Sequence, residues 1–483
     1  MGSSNRIIKG LFWKVLERFG VQGINFILQI VLARILDPAH YGVLSLMIIF
    51  TTLANVFIQN GFNTALIQNK DVTEEDYSSV FWVTAAAALL IYAGLFAAAP
   101  VIARFYEMPD LIAPFRVLCL ILLPGALNSI QLAIVSRKMD FKKVFYSNIG
   151  AIVTAGIAGI VLAYAGAGLW ALVAQNLVNV FIACAVMWST VKWRPRRVCN
   201  FSRVKALFSF GWKLLVSSLL DTLYQDIRSL VIGKKYAADM LGYYNRGKQF
   251  PQFFITSVNS AVQSVLLPAM SSEQDDKAQV KMLVRHSITL SSFIIFPLMA
   301  GLAGAAAPVV RLLLTDKWLP CVPFMQIYCF SLAFYPVHTG NLQAINAVGR
   351  SDIFLKLELI KKGIGMIALV IAVFCFDSPI AIAMTGVFTT FISCFVNAFP
   401  NKKLIDYSYG EQMRDILPAL LISLAMCGCV LLVGMLKLPA FALLMLQIVT
   451  GVLVYAGASM AFKVPAFGML LGMSKKMLKK KIA

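Results

Sequence analysis

Residues 77–103 read YSSVFWVTAAAALLIYAGLFAAAPVIA, 27 residues without one Asp, Glu, Lys or Arg. As a helix rising 1.5 Å per residue, the stretch is about 40 Å long, enough to cross a hydrocarbon core of about 30 Å. Lipid offers the backbone no hydrogen-bond partner, so only helices and closed barrels can cross it. Barrel strands alternate over about 10 residues, and this stretch does not alternate. It predicts a transmembrane helix.

Comparable apolar runs recur along the chain. They predict an all-α integral membrane protein of about fourteen transmembrane helices. The spans fall near 11–36, 41–68, 77–103, 111–136, 142–166, 168–191 and 206–234. The rest fall near 238–270, 280–307, 318–347, 352–376, 379–400, 412–436 and 439–462. A short apolar piece, Pro308 to Leu314, is expected at the outer surface before the tenth span. The composition agrees: 59% of the 483 residues are hydrophobic, 13% are charged, and the mean hydropathy is +0.79. A soluble chain carries roughly 25% charged residues. Nine cysteines lie mostly inside apolar runs, without metal-ligand spacing, and read as small buried hydrophobes. The N-terminus leads directly into the first span, which reads as a retained helix rather than a cleaved signal.

Charge assigns orientation. With the N-terminus in the cytoplasm, the basic clusters Arg137-Lys138, Lys142-Lys143, 192–205 and the tail lysines from Lys475 onward all fall inside. That is the positive-inside pattern, with both termini cytoplasmic in a bacterial inner membrane. The acidic loop around Glu74, Glu75 and Asp76 is assigned inside too, against the trend. The net charge of +21 is spread over short juxtamembrane loops. It therefore points to anionic lipid headgroups and not to nucleic acid.

The two halves repeat. RILDPAHYG at 34–42 matches KKYAADMLG at 234–242 with an offset of 200, and Trp13-Lys14 matches Trp212-Lys213. Further on the offset becomes 212: Pro124 matches Pro336, Gln131 matches Gln343 and Asp140 matches Asp352. Residues 1–200 and 201–404 are expected to form two pseudo-symmetric six-helix lobes. Helices thirteen and fourteen occupy 405–463, and 464–483 is a basic amphipathic cytoplasmic tail. Transporters built from such parallel repeats bind substrate at the repeat interface and expose it alternately to each side.

The stretches LARILDPAHYGVLSL (32–46) and NGFNTALIQ (60–68), then FSFGWKLLVSSLLDTLYQDIRSLVIGKKYAADMLGYYNRG (208–247), LLPAMSS (266–272) and INAVGRSD (345–352), carry a resemblance. Taken in order, they resemble the polysaccharide transporter branch of the MOP exporter superfamily, the Wzx-type lipid-linked oligosaccharide flippases. The resemblance covers nearly the whole chain, though its motifs are structural turns more than chemistry. It implies a flippase that carries an undecaprenyl-pyrophosphate-linked repeat unit to the outer leaflet for O-antigen, capsule or exopolysaccharide synthesis. It also implies membrane lipids and the polysaccharide polymerase machinery as partners.

Ionisable groups inside spans are costly and mark cavities or partners. On one face of the first helix lie Arg18, Gln22, Asn25 and Gln29; Asn60 is in the second, Arg116 in the fourth, and Arg228 in the seventh. Arg246 and Lys248 lie in the eighth. Arg18, Asn25, Asn60, Arg116, Arg228, Arg246 and Lys248 are the candidate substrate contacts, lining a wet, positively charged cavity. Guanidinium forks suit pyrophosphate oxygens, and amides suit sugar hydroxyls. The bland alternative is snorkelling: Lys14, Arg18, Lys213, Lys361 and Lys362 sit close enough to helix ends to reach headgroups.

No GxxxxGK[ST] phosphate loop is present, so ATP is not the expected drive. No cofactor or metal is expected, and coupling to a Na+ or H+ gradient stays open. Asp221, Asp226 and Glu358 are the ion-coupling candidates. His338, inside the tenth span, reads first as a packed residue. A drug or metabolite antiporter of the same superfamily is the alternative within transport. A polysaccharide polymerase or ligase is the alternative from another class. It is disfavoured because no nucleophile–base set and no paired carboxylates are evident, so the chain is expected to be no enzyme.

Overall fold

The computed structural model describes residues 3–68, 71–272, 276–470 and 472. Most of the basic tail, 473–483, lies outside the described residues, as do the side chains of Arg18 and Asn60. Among the described residues there is no strand. The chain divides into two compact units, Met1–Gly242 and Tyr243–Ala483.

The first unit holds α1 (Ser3–Ile35), α2 (Pro38–Gln68), α3 (Glu74–Tyr106), α4 (Ile112–Leu118) and α5 (Leu122–Lys138). It continues with α6 (Phe141–Tyr164), α7 (Leu169–Thr190) and α8 (Phe201–Lys235). It also takes the first turn of α9 (Ala238–Ser272). After the rest of α9, the second unit holds α10 (Lys277–Gly304), α11 (Ala306–Leu314), α12 (Val322–Ala333) and α13 (Tyr335–Ala347). It ends with α14 (Ser351–Cys375), α15 (Pro379–Ala398), α16 (Asn401–Leu404), α17 (Tyr409–Gly434) and α18 (Ala440–Ala461).

Each expected span coincides with a helix or an interrupted helical run, and the apolar piece at 308–314 is α11. Among the described residues, ten runs are long and apolar enough to cross a membrane, or eleven with α8 counted as one span bent by 55°. The described apolar part of α1 is Gly20–Ile35, while α9 and α14 fall outside that count because of their polar content.

Two expected single helices are interrupted. The run 109–138 tightens at Cys119–Ile121, and the run 316–347 breaks at Phe334. In each case a proline follows at once: Pro124 is the third residue of α5 and Pro336 the second of α13. Proline has no N–H to donate backward and clashes with the preceding turn, so it restarts a helix more easily than it continues one. The two prolines are the repeat partners found in the sequence. The turns at 36 and 236 repeat as well: Leu36 N–H donates to Leu32 O and Tyr236 N–H to Ile232 O, both at 2.9 Å. The next turns then meet. A Cβ built on Gly42 would lie 1.7 Å from Ala238 O, and one on Gly242 would lie 2.1 Å from Pro38 O. The first turns of α2 and α9 therefore pack backbone on backbone, reciprocally, as small residues allow in membranes.

The acidic loop that ran against the charge pattern has a structural reason. Thr73 and Asp76 form a capping box at the start of α3. The segment before α8 then folds onto these acids. Arg203 donates to both Asp76 oxygens (3.1 and 2.9 Å), Trp193 Nε1 to Glu74 (2.7 Å) and Asn200 Nδ2 to Glu75 (3.1 Å). The backbone N–H groups of Arg196 and Asn200 donate to Ser78 and Ser79, while Trp82 Nε1 donates to Arg196 O. Val204 and Leu207 bury with Ala65, Leu66, Val80 and Phe81 beneath this network. The acids thus serve as anchors for a basic strap at the same end of the unit.

Candidate functional site

In the first unit, two polar side chains of α2 pair with each other. Gln59 Nε2 donates to Asn55 Oδ1 at 3.3 Å, beside Gly125 of α5. Asn25 lies exposed on α1. Arg116 of α4 turns to α3: its Nε donates to Phe96 O at 3.1 Å and its guanidinium lies 4.2 Å from the Phe96 ring centroid. A carbonyl bond plus a cation–π contact is a structural anchorage for this side chain. Arg228 of α8 is only 9% exposed, with its guanidinium 5.8 Å from the Tyr224 ring. Asp221 and Asp226 sit half-buried on the same helix.

In the second unit, Arg246 of α9 is 4% exposed. It donates to Gln249 Oε1 at 2.7 Å and lies 5.2 Å from the Trp318 ring. Tyr244 bonds Tyr328 through their hydroxyls. Lys248 is half-buried. Glu358 of α14 pairs with Lys361 at 2.5 Å. His338 of α13 approaches Asn397 Nδ2 (3.4 Å) and Cys394 Sγ (3.7 Å) of α15. The expected candidates therefore divide: Asn25, Arg116, Arg228, Asp221 and Asp226 in the first unit, Arg246, Lys248 and Glu358 in the second.

Sequence reasoning missed a polar network at one end of the second unit. Asn341 and Gln412 exchange amide hydrogen bonds at 2.8 and 2.9 Å, and Asn401 Nδ2 donates to Asn341 Oδ1 at 2.6 Å. All three are fully buried. Beside them Tyr407 donates to Asp415, which pairs with Arg285 at 2.6 Å, and Lys281 pairs with Glu411 at 3.1 Å. The network ties α10, α13, α16 and α17 together. Its sequence signal was three uncharged amides, Asn341, Asn401 and Gln412, set beside apolar runs.

Arginine forks with amides nearby can bind phosphate oxygens and hydroxyls. A cluster of His, Cys, Asp or Glu suited to a metal ion is absent among the described residues.

Residues 31–323 match the family described as polysaccharide biosynthesis protein. The chain is 24% identical over 419 residues to the succinoglycan biosynthesis transport protein ExoT of Rhizobium meliloti, covering 86% of this chain and 82% of that protein. It is 23% identical over 443 residues to the lipopolysaccharide biosynthesis protein WzxC of Escherichia coli, covering 88% of each. The fold matches that of the lipid II flippase MurJ in an inward closed conformation, with a TM-score of 0.75 at 15% identity over 94% of this chain and 98% of that one. The chain is a multispanning membrane protein with the fold of MurJ, and it belongs to the polysaccharide biosynthesis protein family.

Proposed function

We propose that this protein flips a polyprenyl-pyrophosphate-linked oligosaccharide repeat unit, undecaprenyl in the bacterial case, from the inner to the outer leaflet by alternating access. The observation that carries the reading is the burial of Arg228 and Arg246 in helices of a chain whose family makes polysaccharides. Burying a guanidinium in a membrane helix costs several kcal/mol by most estimates, and such residues pair with other groups or mark substrate and ion pathways. The likeness to ExoT and WzxC, a transport protein and a lipopolysaccharide biosynthesis protein, supports the same assignment.

On this reading all fourteen helical runs cross the membrane in two repeated lobes, 1–200 and 201–404. The pair 405–463 follows, and both termini are cytoplasmic. The polar faces of α1, α9 and α14 then face protein or water, so a low apolar content is tolerable there.

In cells, loss of this chain should leave the lipid-linked unit on the inner face of the membrane, with surface polysaccharide absent. The wild-type gene should restore it. Surface polysaccharide at normal levels without the chain, in a strain lacking a second flippase, would refute the proposal. Native cysteines check the orientation. Cys199, ahead of α8, and Cys375, at the end of α14, are exposed, and the other seven are buried or half-buried. A membrane-impermeant maleimide should label Cys375 from the outside, and Cys199 only in inverted vesicles. The reverse pattern would invert the topology.

A further inference from the structure

We infer that Trp318 and Gln249 are positioning residues, which hold the Arg246 guanidinium in one orientation so that its planar fork meets the pyrophosphate of the lipid-linked sugar edge-on. The inference deepens the flippase reading above and rests on it.

Arg246 is the ninth residue of α9, about 12 Å along the axis from its start. Its guanidinium lies 5.2 Å from the Trp318 ring centroid, and its Nη1 donates to Gln249 Oε1 at 2.7 Å. Arg246 is 4% exposed and Trp318 is wholly buried. The indole is braced in turn: the Tyr243 ring meets it edge-on, at 6.1 Å and 89°. Trp318 belongs to the tight turn Asp316–Cys321 that leads into α12. A Cβ on Gly247 would lie 2.7 Å from Phe324 Cβ and 2.8 Å from both Cys321 O and Met325 N. The backbone of α9 therefore meets the start of α12 right beside Arg246, and that contact sets the turn carrying Trp318 against the guanidinium.

The two contacts divide the work chemically. All the donors of a guanidinium lie in its plane. A ring over the face attracts the cation and takes none of those donors. One amide oxygen takes one N–H and fixes the twist of the fork. A side chain already held in this way loses less rotamer freedom when an anion arrives than a mobile arginine would. The same holding keeps the fork in the orientation that two phosphate oxygens require.

The internal repeat separates this role from plain packing. At the offset of 200, Leu46 and Ile49 of α2 stand where Arg246 and Gln249 stand on α9. At the offset of 212, Tyr106 stands where Trp318 does. The first unit thus builds its corner from apolar and aromatic side chains. Leu46, Ile49 and Tyr106 are buried, and Tyr106 meets Phe50 of α2 edge-on at 6.3 Å. The corner folds there without a charge. The second unit carries a guanidinium, its acceptor and the ring type that binds cations best, an expensive set inside a membrane that packing does not require.

The test uses full-length protein in detergent with a short-chain polyprenyl-pyrophosphate disaccharide as probe, and reads the dissociation constant beside the melting temperature. Trp318→Leu and Gln249→Leu should each weaken binding about tenfold, and Trp318→Phe, which keeps a ring over the fork, about threefold. In an Arg246→Ala background, itself about tenfold weaker than wild type, the same substitutions should add nothing, because they act through the guanidinium. The triple variant Arg246→Leu/Gln249→Ile/Trp318→Tyr rebuilds the first unit's corner. It should melt at or above wild type and bind the probe as weakly as Arg246→Ala. Losses that recur in full in the Arg246→Ala background would overturn the positioning role, as would wild-type affinity in both leucine variants or a triple variant that melts far below wild type. Each of those results leaves the flippase reading standing. A wild type with no affinity for the pyrophosphate probe would overturn that reading, and the positioning role with it.

Discussion

Replacing Gly42 with alanine is expected to destabilise the protein by about 3 kcal/mol or more, at the upper end of overpacking costs. Helix propensity argues the other way, since alanine in place of a helical glycine gains up to about 1 kcal/mol. Sterics wins here because the new methyl carbon would lie 1.7 Å from Ala238 O and 2.6 Å from its carbonyl carbon. Those are backbone atoms, which cannot rotate away as a leucine tip could. The first turns of α2 and α9 would have to separate, and the reciprocal contact of Gly242 with Pro38 would separate with them. Gly94→Ala is the control, because a Cβ there meets nothing within 4 Å. Thermal unfolding in detergent should show Gly42→Ala and Gly242→Ala melting many degrees below wild type, with Gly94→Ala at or above it. Equal melting temperatures for all three would remove the close crossing.

Replacing Arg228 or Arg246 with alanine is expected to cut export of surface polysaccharide by at least tenfold while the protein still reaches the membrane. Arg116→Ala should cost less, because that side chain is only half-buried, whereas Arg228 and Arg246 are 9% and 4% exposed. Lysine separates the roles. It keeps the charge but loses the planar fork, so Arg228→Lys should restore only part of the activity if two phosphate oxygens are gripped at once. Full rescue by lysine would mean that charge alone suffices. Full activity in the Arg228→Ala/Arg246→Ala double variant would remove both side chains from the substrate path.

The helices were legible because membrane segments announce themselves by length and hydropathy, and the repeat by its matched turns at 34–42 and 234–242. The interruptions at 119–121 and 334 were less so. In sequence Pro124 and Pro336 mark the duplication, although the same rings also break the run. α8 shows another limit. Its motif pairs it with α1 as the start of a second lobe, yet it packs along α2 and counts with the first compact unit, because packing partners are chosen in three dimensions. Among the site residues, the arginines were visible as costly charges in apolar runs. The rings that hold Arg116 and Arg246 were not, since Phe96 and Trp318 carry no signal in sequence. The same blindness hid Asn341, Asn401 and Gln412: the last two lie 60 and 71 positions beyond the first, and the three become a network only when α13, α16 and α17 meet. Lys361 could be read as a headgroup anchor until the structure turned it toward Glu358.

The most direct measurement is flipping itself. Purified protein is placed in liposomes whose outer leaflet can be probed with a lectin against a defined polyprenyl-pyrophosphate oligosaccharide. The account predicts that sugar from the inner leaflet becomes lectin-accessible with wild-type protein, and stays hidden in protein-free liposomes and with the double arginine variant. Equal accessibility in all three preparations would contradict it.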